Sequence, residues 1–577
     1  MPSQQRDDSI EQIRRNGDFD VVVVGGGING IGVYRELALQ GLRVLLVERR
    51  DFCSGCSSAP SRMIHGGLRY LENGELGLVR ESLRERDALL LNAPHMVRPL
   101  PTTIPIARTF SGLMNGAAGF FGWSGRPSQR GALPIKVGLM LYDWATRHRR
   151  LLPKHRFRRA RETSRLWPAL SPRLRFSATY FDAWISYPER LCVELLLDTK
   201  RLAPECVALN HAKIARAGDH FAVTDSQSSE RLQLRTRVIV NATGAWLDES
   251  LELLRDEARR SEPFVSGTKG SHLIIDSDEL YRALNGHMIF FENDDGRVCI
   301  MFPYLGRVLA GSTDIRVEKA ERVRCEPGER DYILGALREA FPSIEITAEQ
   351  VVFSYSGIRP LPRSDHEFTG RISRSHFVHR LEGTPPQFCM VGGKWTTFRA
   401  FAEQTADVVL AELGRGRVRD TLALPIGGGA NFPASAQDLE AVLVSRYGIS
   451  DERAAWLTDA YGTRAHDVLA FCLDRDDDVP LVAGCRLTRA EIVFLCRTEY
   501  VVGLEDMLLR RTPLSIRGDI STLIIERVAA IMGEELGWPP ERRASEIRSF
   551  IRDLEDYHGV TGEMLEQRTH HRSIPCG

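Results

Sequence analysis

The 577-residue sequence has no run of about 18 apolar residues, so no helix is expected to cross a membrane. Its first stretch, MPSQQRDDSIEQIRRNGDF, lacks an apolar centre, which argues against a secretory signal. Neither charge sign prevails: 76 lysines and arginines balance 76 acids, so no nucleic-acid partner is expected. The 11 cysteines are irregularly spaced and odd in number, which excludes a disulfide framework and suits a reducing compartment. Cys53 and Cys56 form a CxxC with no second pair or histidines at zinc spacing. They read as loop thiols, and no metal site is expected. One local excess of arginine, Arg147 to Arg161, reads as a solvated face or a membrane-facing patch.

What is present is an ordinary globular composition, 43% hydrophobic and 26% charged. The length suits about two to four units. Asp20 to Val24, DVVVV, predicts a strand buried on both faces. It runs into Gly25-x-Gly27-x-x-Gly30, a helical stretch Tyr34 to Gln40, and a second strand, Val44 to Val47, ending at Glu48. This order predicts a dinucleotide turn. Gly25 permits the tight bend, Gly27 lets amides approach a diphosphate, and Gly30 allows close helix packing. The helix N-terminus favours the anion, and Glu48 accepts from ribose hydroxyls. Two later segments favour FAD over NAD. Val238 to Val240 leads into Asn241-Ala242-Thr243-Gly244, a second approach to the nucleotide. Gly392-Gly393-Lys394-Trp395-Thr396-Thr397 opens a helical stretch, Phe398 to Leu413, suited to a flavin edge that gains negative charge on reduction.

The segment CSSAPSRMIHGGLRYLE (Cys56 to Glu72), the turn GGGING, VNATGAW (Val240 to Trp246), KGSH (Lys269 to His272), GSTD (Gly311 to Asp314), YSGIRPL (Tyr355 to Leu361), GGKWTTFR (Gly392 to Arg399) and LEDMLLRRT (Leu504 to Thr512) resemble the FAD-dependent glycerol-3-phosphate dehydrogenases. Order and spacing match along nearly the whole chain. The resemblance implies FAD, glycerol 3-phosphate as substrate, dihydroxyacetone phosphate as product, and electrons passed to a membrane quinone. The chain is expected to be cytoplasmic and peripheral on the inner face of the membrane, with a homodimer left open. After Trp184 the sequence departs from the family's Val-Asp-Asp-Ala-Arg-Leu, reading Ile185-Ser186-Tyr187-Pro188-Glu189-Arg190-Leu191, which admits another polyol phosphate such as a tetritol phosphate. An oxygen-using oxidase and a non-catalytic flavoprotein are the rival functions.

Oxidising a secondary alcohol requires a hydride to reach flavin N5 while a base takes the hydroxyl proton. His272 is the candidate acceptor, or a histidine that only hydrogen-bonds product or backbone. Arg359 stands beside it in the catalytic set. Arg69, Arg374 and Lys394 lie in the matching motifs and are expected, with Arg359, to hold phosphate, arginine by its two-pronged fork. Tyr70 either orients the substrate hydroxyl or packs beside Arg69. Ser57, Ser58, His65, Gly66, Ala242, Thr243, Gly244, Gly393, Lys394 and Thr396 complete the expected cofactor set.

The expected fold class is α/β. A Rossmann-like FAD-binding domain (18–99, 184–268 and 356–413) is joined by an α+β, mostly antiparallel substrate domain (100–183 and 269–355). A linker (414–436) leads to an all-α C-terminal domain (437–577). Asn293-Asp294-Asp295-Gly296 between two apolar runs predicts a hairpin. In the tail, Leu439, Val442, Leu443 and Tyr447, then Ile492, Leu495, Cys496 and Tyr500, recur at helical spacing, and Asp519 is placed to cap a helix from Ile520 to about Leu536. Phe110 to Trp123 is apolar and glycine-rich, either an interfacial segment or a lid or core loop.

Overall fold

The computed structural model describes residues 4–67, 75–107, 139–140, 151–255, 262–293, 297–363 and 375–572. The expectations for Arg69, Tyr70, Arg374 and Phe110 to Trp123 fall outside these residues.

Two sheets organise the chain. In the first, Asp18–Val24 is central, with Arg231–Asn241 on one side and Val44–Val47 on the other, all parallel. Val207–Leu209 and Gln387–Val391 extend it in parallel, and Phe377–Leu381 adds an antiparallel edge. The valine run explains its central place. Val21 and Val23 pack against Ile28 and Ile31 of the helix Ile28–Ala38. Val22 and Val24 face the opposite side, with Leu45, Val207 and Phe221. Side chains alternate across a strand, so a continuous β-branched run satisfies both layers.

Among the described residues the second sheet has ten strands. It is antiparallel except where Met288–Glu292 pairs in parallel with Val97–Ile106. The predicted hairpin is present as Met288–Glu292 against Val298–Tyr304. The longest pairing joins Val265–Ile275 to Val351–Pro362. The expected boundaries at 99/100, 183/184, 268/269 and 355/356 each fall inside a strand of this sheet. Its long strands therefore run without a break across each of those positions.

The tail is helical, and its core includes Leu439, Leu443, Trp456, Ile492, Leu495 and Cys496 together with Tyr304, Phe353 and Tyr355 of the second sheet. Val442, expected to share that core, is exposed. The helix Thr522–Leu536 is capped by Ser521, whose hydroxyl accepts from Ile524 N. Asp519 is not its cap, because that carboxylate takes Arg517 Nε at 2.7 Å and the helix starts later. The glycine-rich stretch read as a linker is packed in place. Gly427 N and Gly428 N donate to Asp198 and Glu194 at 2.7 and 3.1 Å. Among the described residues no helix is long and apolar enough to cross a membrane.

Candidate active site

The nucleotide turn lies where the parallel strands end at their C-terminal edge, the position at which open α/β sheets bind ligands. Gly25 has φ +105, a conformation that side chains resist. A Cβ on Gly30 would sit 1.8 Å from Gly25 O, so the turn closes only on glycine. Gly27 is the N-cap of the helix Ile28–Ala38. Ser57 Oγ accepts from Ile28 N at 2.9 Å, while Ser58 Oγ donates to Gly55 O. Glu48 is half-buried and accepts from Gly26 N at 2.6 Å and Arg50 N at 2.8 Å. Burial raises its pKa against these two donors. The second approach meets the first turn, since Ala242 N donates to Val24 O at 2.8 Å. Thr243 is held by Asn241 and Ser250, and Gly244 has φ +61.

The third segment closes on the same place. Thr396 Oγ1 accepts from His65 N at 3.2 Å, and Asp182 Oδ1 accepts from Gly66 N at 2.9 Å. Trp395 Nε1 donates to Ser57 O at 2.9 Å. A Cβ on Gly393 would fall 2.5 Å from Asn29 Nδ2, so this glycine turn abuts the nucleotide helix. Lys394 Nζ donates to Ser82 Oγ at 3.2 Å, on the helix Leu76–Asn92.

His272 and Arg359 share one face of the second sheet, because His272 pairs with Tyr355 and Thr268 with Arg359. A Cβ on Gly357, between them, would lie 2.8 Å from Ala59 Cβ, so this face meets the loop that carries Ser57. Tyr355 OH donates to Pro60 O at 3.0 Å in the same loop. Arg359 is held by Asp314 at 2.9 Å, Ser312 Oγ at 3.0 Å and Thr313 O. His272 is 1% exposed, stacks on Tyr355 at 5.0 Å, and has no hydrogen-bond partner for either ring nitrogen among the described residues. Burial first, then the nearby Arg359 and Arg62 charges, lowers its pKa to about 3. The imidazole is therefore neutral at physiological pH.

The opposite face of the same strands is structural. Lys269 of KGSH pairs with Glu329 at 2.6 Å, and Ser271 and Thr313 bond the same carboxylate. Sequence reasoning missed Tyr355, Arg62, Asp182 and Asp314. Arg62, Tyr355 and Asp314 were within quoted motifs, but their partners lie on other strands, helices or loops. The Asp51–His211–Asp506 group could hold a metal by distance, but Arg510 and Arg511 already neutralise Asp51, so it is read as an ion-pair network.

The family model for FAD dependent oxidoreductases matches residues 20–407, and that for the C-terminal domain of alpha-glycerophosphate oxidase matches 419–543. The glycerol-3-phosphate dehydrogenase of Synechocystis is 32% identical, over 94% of this chain and 97% of its own. The chain belongs to the FAD-dependent glycerol-3-phosphate dehydrogenase family. A Pseudomonas aeruginosa member is 31% identical, over 86% of this chain and 92% of its own. The fold matches that of the Bacillus halodurans glycerol-3-phosphate dehydrogenase complexed with FAD, with a TM-score of 0.75, 22% identity, and coverage of 96% and 98%. FAD is the cofactor of this oxidoreductase. The residues present fit it. The turn at Gly25 and Gly30 admits no side chain, and Asn29 Oδ1 beside it is buried without a partner among the described residues.

His95, His272, His287, His376 and His558 share one further property. Burial, the largest cause in each, holds the pKa of His272 at about 3 and the others at about 4. The unfolded chain binds protons at these histidines from about pH 6.5 downward, before the folded chain does. Stability is therefore expected to fall as pH drops from about 6.5 toward 4, with up to five protons taken up on unfolding. Denaturant midpoints measured at pH 7.5, 6.0 and 5.0 check this; a flat profile contradicts it.

Proposed function

We propose that this oxidoreductase converts sn-glycerol 3-phosphate to dihydroxyacetone phosphate and passes the electrons to a membrane quinone, working at the inner face of the membrane. The observation that carries the reading is His272: a neutral, buried imidazole with two unused nitrogens, on the sheet face that meets the cofactor loop.

In this reading His272 accepts the proton of the C2 hydroxyl, leaving an imidazolium that returns the proton to solvent after product leaves. Arg359, held by Asp314 and Ser312, keeps a fixed positive charge on the same face, favouring the developing alkoxide and the substrate phosphate. Arg69, Arg374 and Lys394, the last bonded to Ser82, are assigned to the substrate phosphate, and Tyr70 to the hydroxyl. When bound, FAD supplies at N5 an acceptor for the hydride leaving C2. The relatives' printed name supports the substrate. The altered Ser186–Glu189 segment is packed into the fold. Pro188 starts the helix Pro188–Leu202, Tyr187 packs on Trp456 of the tail, and Glu189 pairs with Arg62.

The acceptor is tested by re-oxidation. Enzyme reduced anaerobically by substrate is mixed with a soluble quinone or with oxygenated buffer. Faster recovery of flavin colour with the quinone is expected. Faster recovery with oxygen, accompanied by stoichiometric peroxide, overturns the quinone assignment in favour of an oxidase.

A further inference from the structure

A general base is usually oriented by a hydrogen bond to a third group. His272 has none among the described residues, so packing must fix its ring. Its stacked neighbour is Tyr355, with rings 5.0 Å apart and 16° from parallel. Tyr355 in turn lies beneath the Arg62 guanidinium, whose carbon is 5.6 Å from the tyrosine ring and 5.1 Å from that of Tyr304. Arg62 is gripped by Glu189 through two bonds of 2.7 and 3.2 Å, and it also donates to Ser186 O. Both members of the pair are buried, at 2% and 8% exposure. Replacing a buried ion pair by apolar groups is often neutral for stability, so stability alone is a weak reason for this one. Its place, one ring away from the unpartnered imidazole, supplies a better one.

We propose that the Glu189–Arg62 pair positions His272 for alcohol oxidation, acting through the ring of Tyr355. The inference rests on the reading of His272 as proton acceptor. The charged groups facing the imidazole are Arg62, from the loop before Met63–Ile64, and Arg359, from the neighbouring strand, the latter balanced by Asp314. From Arg307–Gly311 the neighbour is Gly311, which offers only backbone and leaves no side chain between strand and ring. The segment where this chain departs from its family thus reaches the reaction indirectly, through Glu189.

The test is a double-mutant cycle on the FAD-loaded enzyme, with anaerobic flavin reduction by sn-glycerol 3-phosphate. Arg62→Met is expected to lower the limiting rate about 10–100-fold, because small misplacements of a reacting group cost that much. The half-saturating substrate concentration should change less than about threefold, since ground-state binding is untouched. Arg62→Lys should recover part of the rate by restoring the cation. In a Tyr355→Leu background, Arg62→Met should cost less than about twofold more, because the route through the ring is already cut. Glu189→Gln, a milder change, repeats the cycle if Arg62→Met yields no folded protein, with an expected loss of about 3–10-fold. A readout independent of turnover is the ring-carbon resonance of His272 in histidine-labelled protein, assigned by its absence in His272→Asn. It should shift in Arg62→Met. A wild-type limiting rate in the variants of the pair, or a full penalty persisting without the Tyr355 ring, overturns the proposal. A wild-type rate in His272→Asn overturns the underlying reading instead, and a different variant reports it.

Discussion

Replacing His272 by asparagine is expected to slow anaerobic flavin reduction by about 10²–10⁴-fold, the range over which a positioned general base acts. The size follows from the environment. Water is excluded from a side chain that is 1% exposed, so solvent cannot readily take over the proton. Neither ring nitrogen has a hydrogen-bond partner among the described residues, and the pKa of about 3 keeps the ring neutral, with one nitrogen carrying its hydrogen and the other an acceptor. Asparagine fills much of the same volume and can still stack against Tyr355, so the fold and the FAD content should persist. The loss should appear in the limiting rate more than in substrate binding, because an alcohol held by its phosphate still binds without a base. If only the half-saturating concentration rises, His272 is a binding group and the proton goes elsewhere. The pH profile offers a second check. An imidazole with so low a pKa predicts no loss of reduction rate between about pH 8 and 6 from its protonation in the free enzyme.

Gly30→Ala is expected to yield protein nearly free of FAD. The added Cβ would stand 1.8 Å from Gly25 O, a backbone atom that no rotamer change can remove. Relief requires moving either the turn or the start of the helix Ile28–Ala38, and both also define the approach of Ala242 to Gly25. Overpacking of this kind costs about 1–3 kcal/mol or more, and each 1.4 kcal/mol weakens binding about tenfold. Gly335→Ala is the matched control. That glycine is exposed within the helix Pro327–Ala340, has nothing near its would-be Cβ, and should gain slightly in helix stability while keeping full FAD. The flavin-to-protein absorbance ratio of the purified variants decides the matter. Full occupancy in Gly30→Ala would show that the turn is looser than its geometry indicates.

Local chemistry made parts of this structure legible and left others hidden. The run DVVVV and the glycines after it could be read directly, because a β-branched run and a turn that only glycine closes leave few alternatives. The hairpin around 293–296 was legible for the same reason. The extent of Val265–Ile275 and Val351–Pro362 was not, because their pairing joins residues far apart in sequence. The glycines at 427–429 looked like linker composition, yet a Cβ on Gly428 would sit 1.8 Å from Tyr461 O, so smallness there serves close packing. At the site, His272 and Arg359 stood out through their motifs. Arg62 did not, since its importance depends on Glu189, Tyr304 and Tyr355, which arrive from three other elements. Residues that act through neighbours leave little trace in a single sequence.

The central claim is most directly tested by an anaerobic titration of the purified FAD-loaded enzyme with sn-glycerol 3-phosphate, following flavin absorbance and assaying product. The account predicts full bleaching with one dihydroxyacetone phosphate formed per flavin reduced, and no bleaching with glycerol lacking the phosphate. A flavin that stays oxidised with sn-glycerol 3-phosphate, or that bleaches equally with unphosphorylated glycerol, contradicts it.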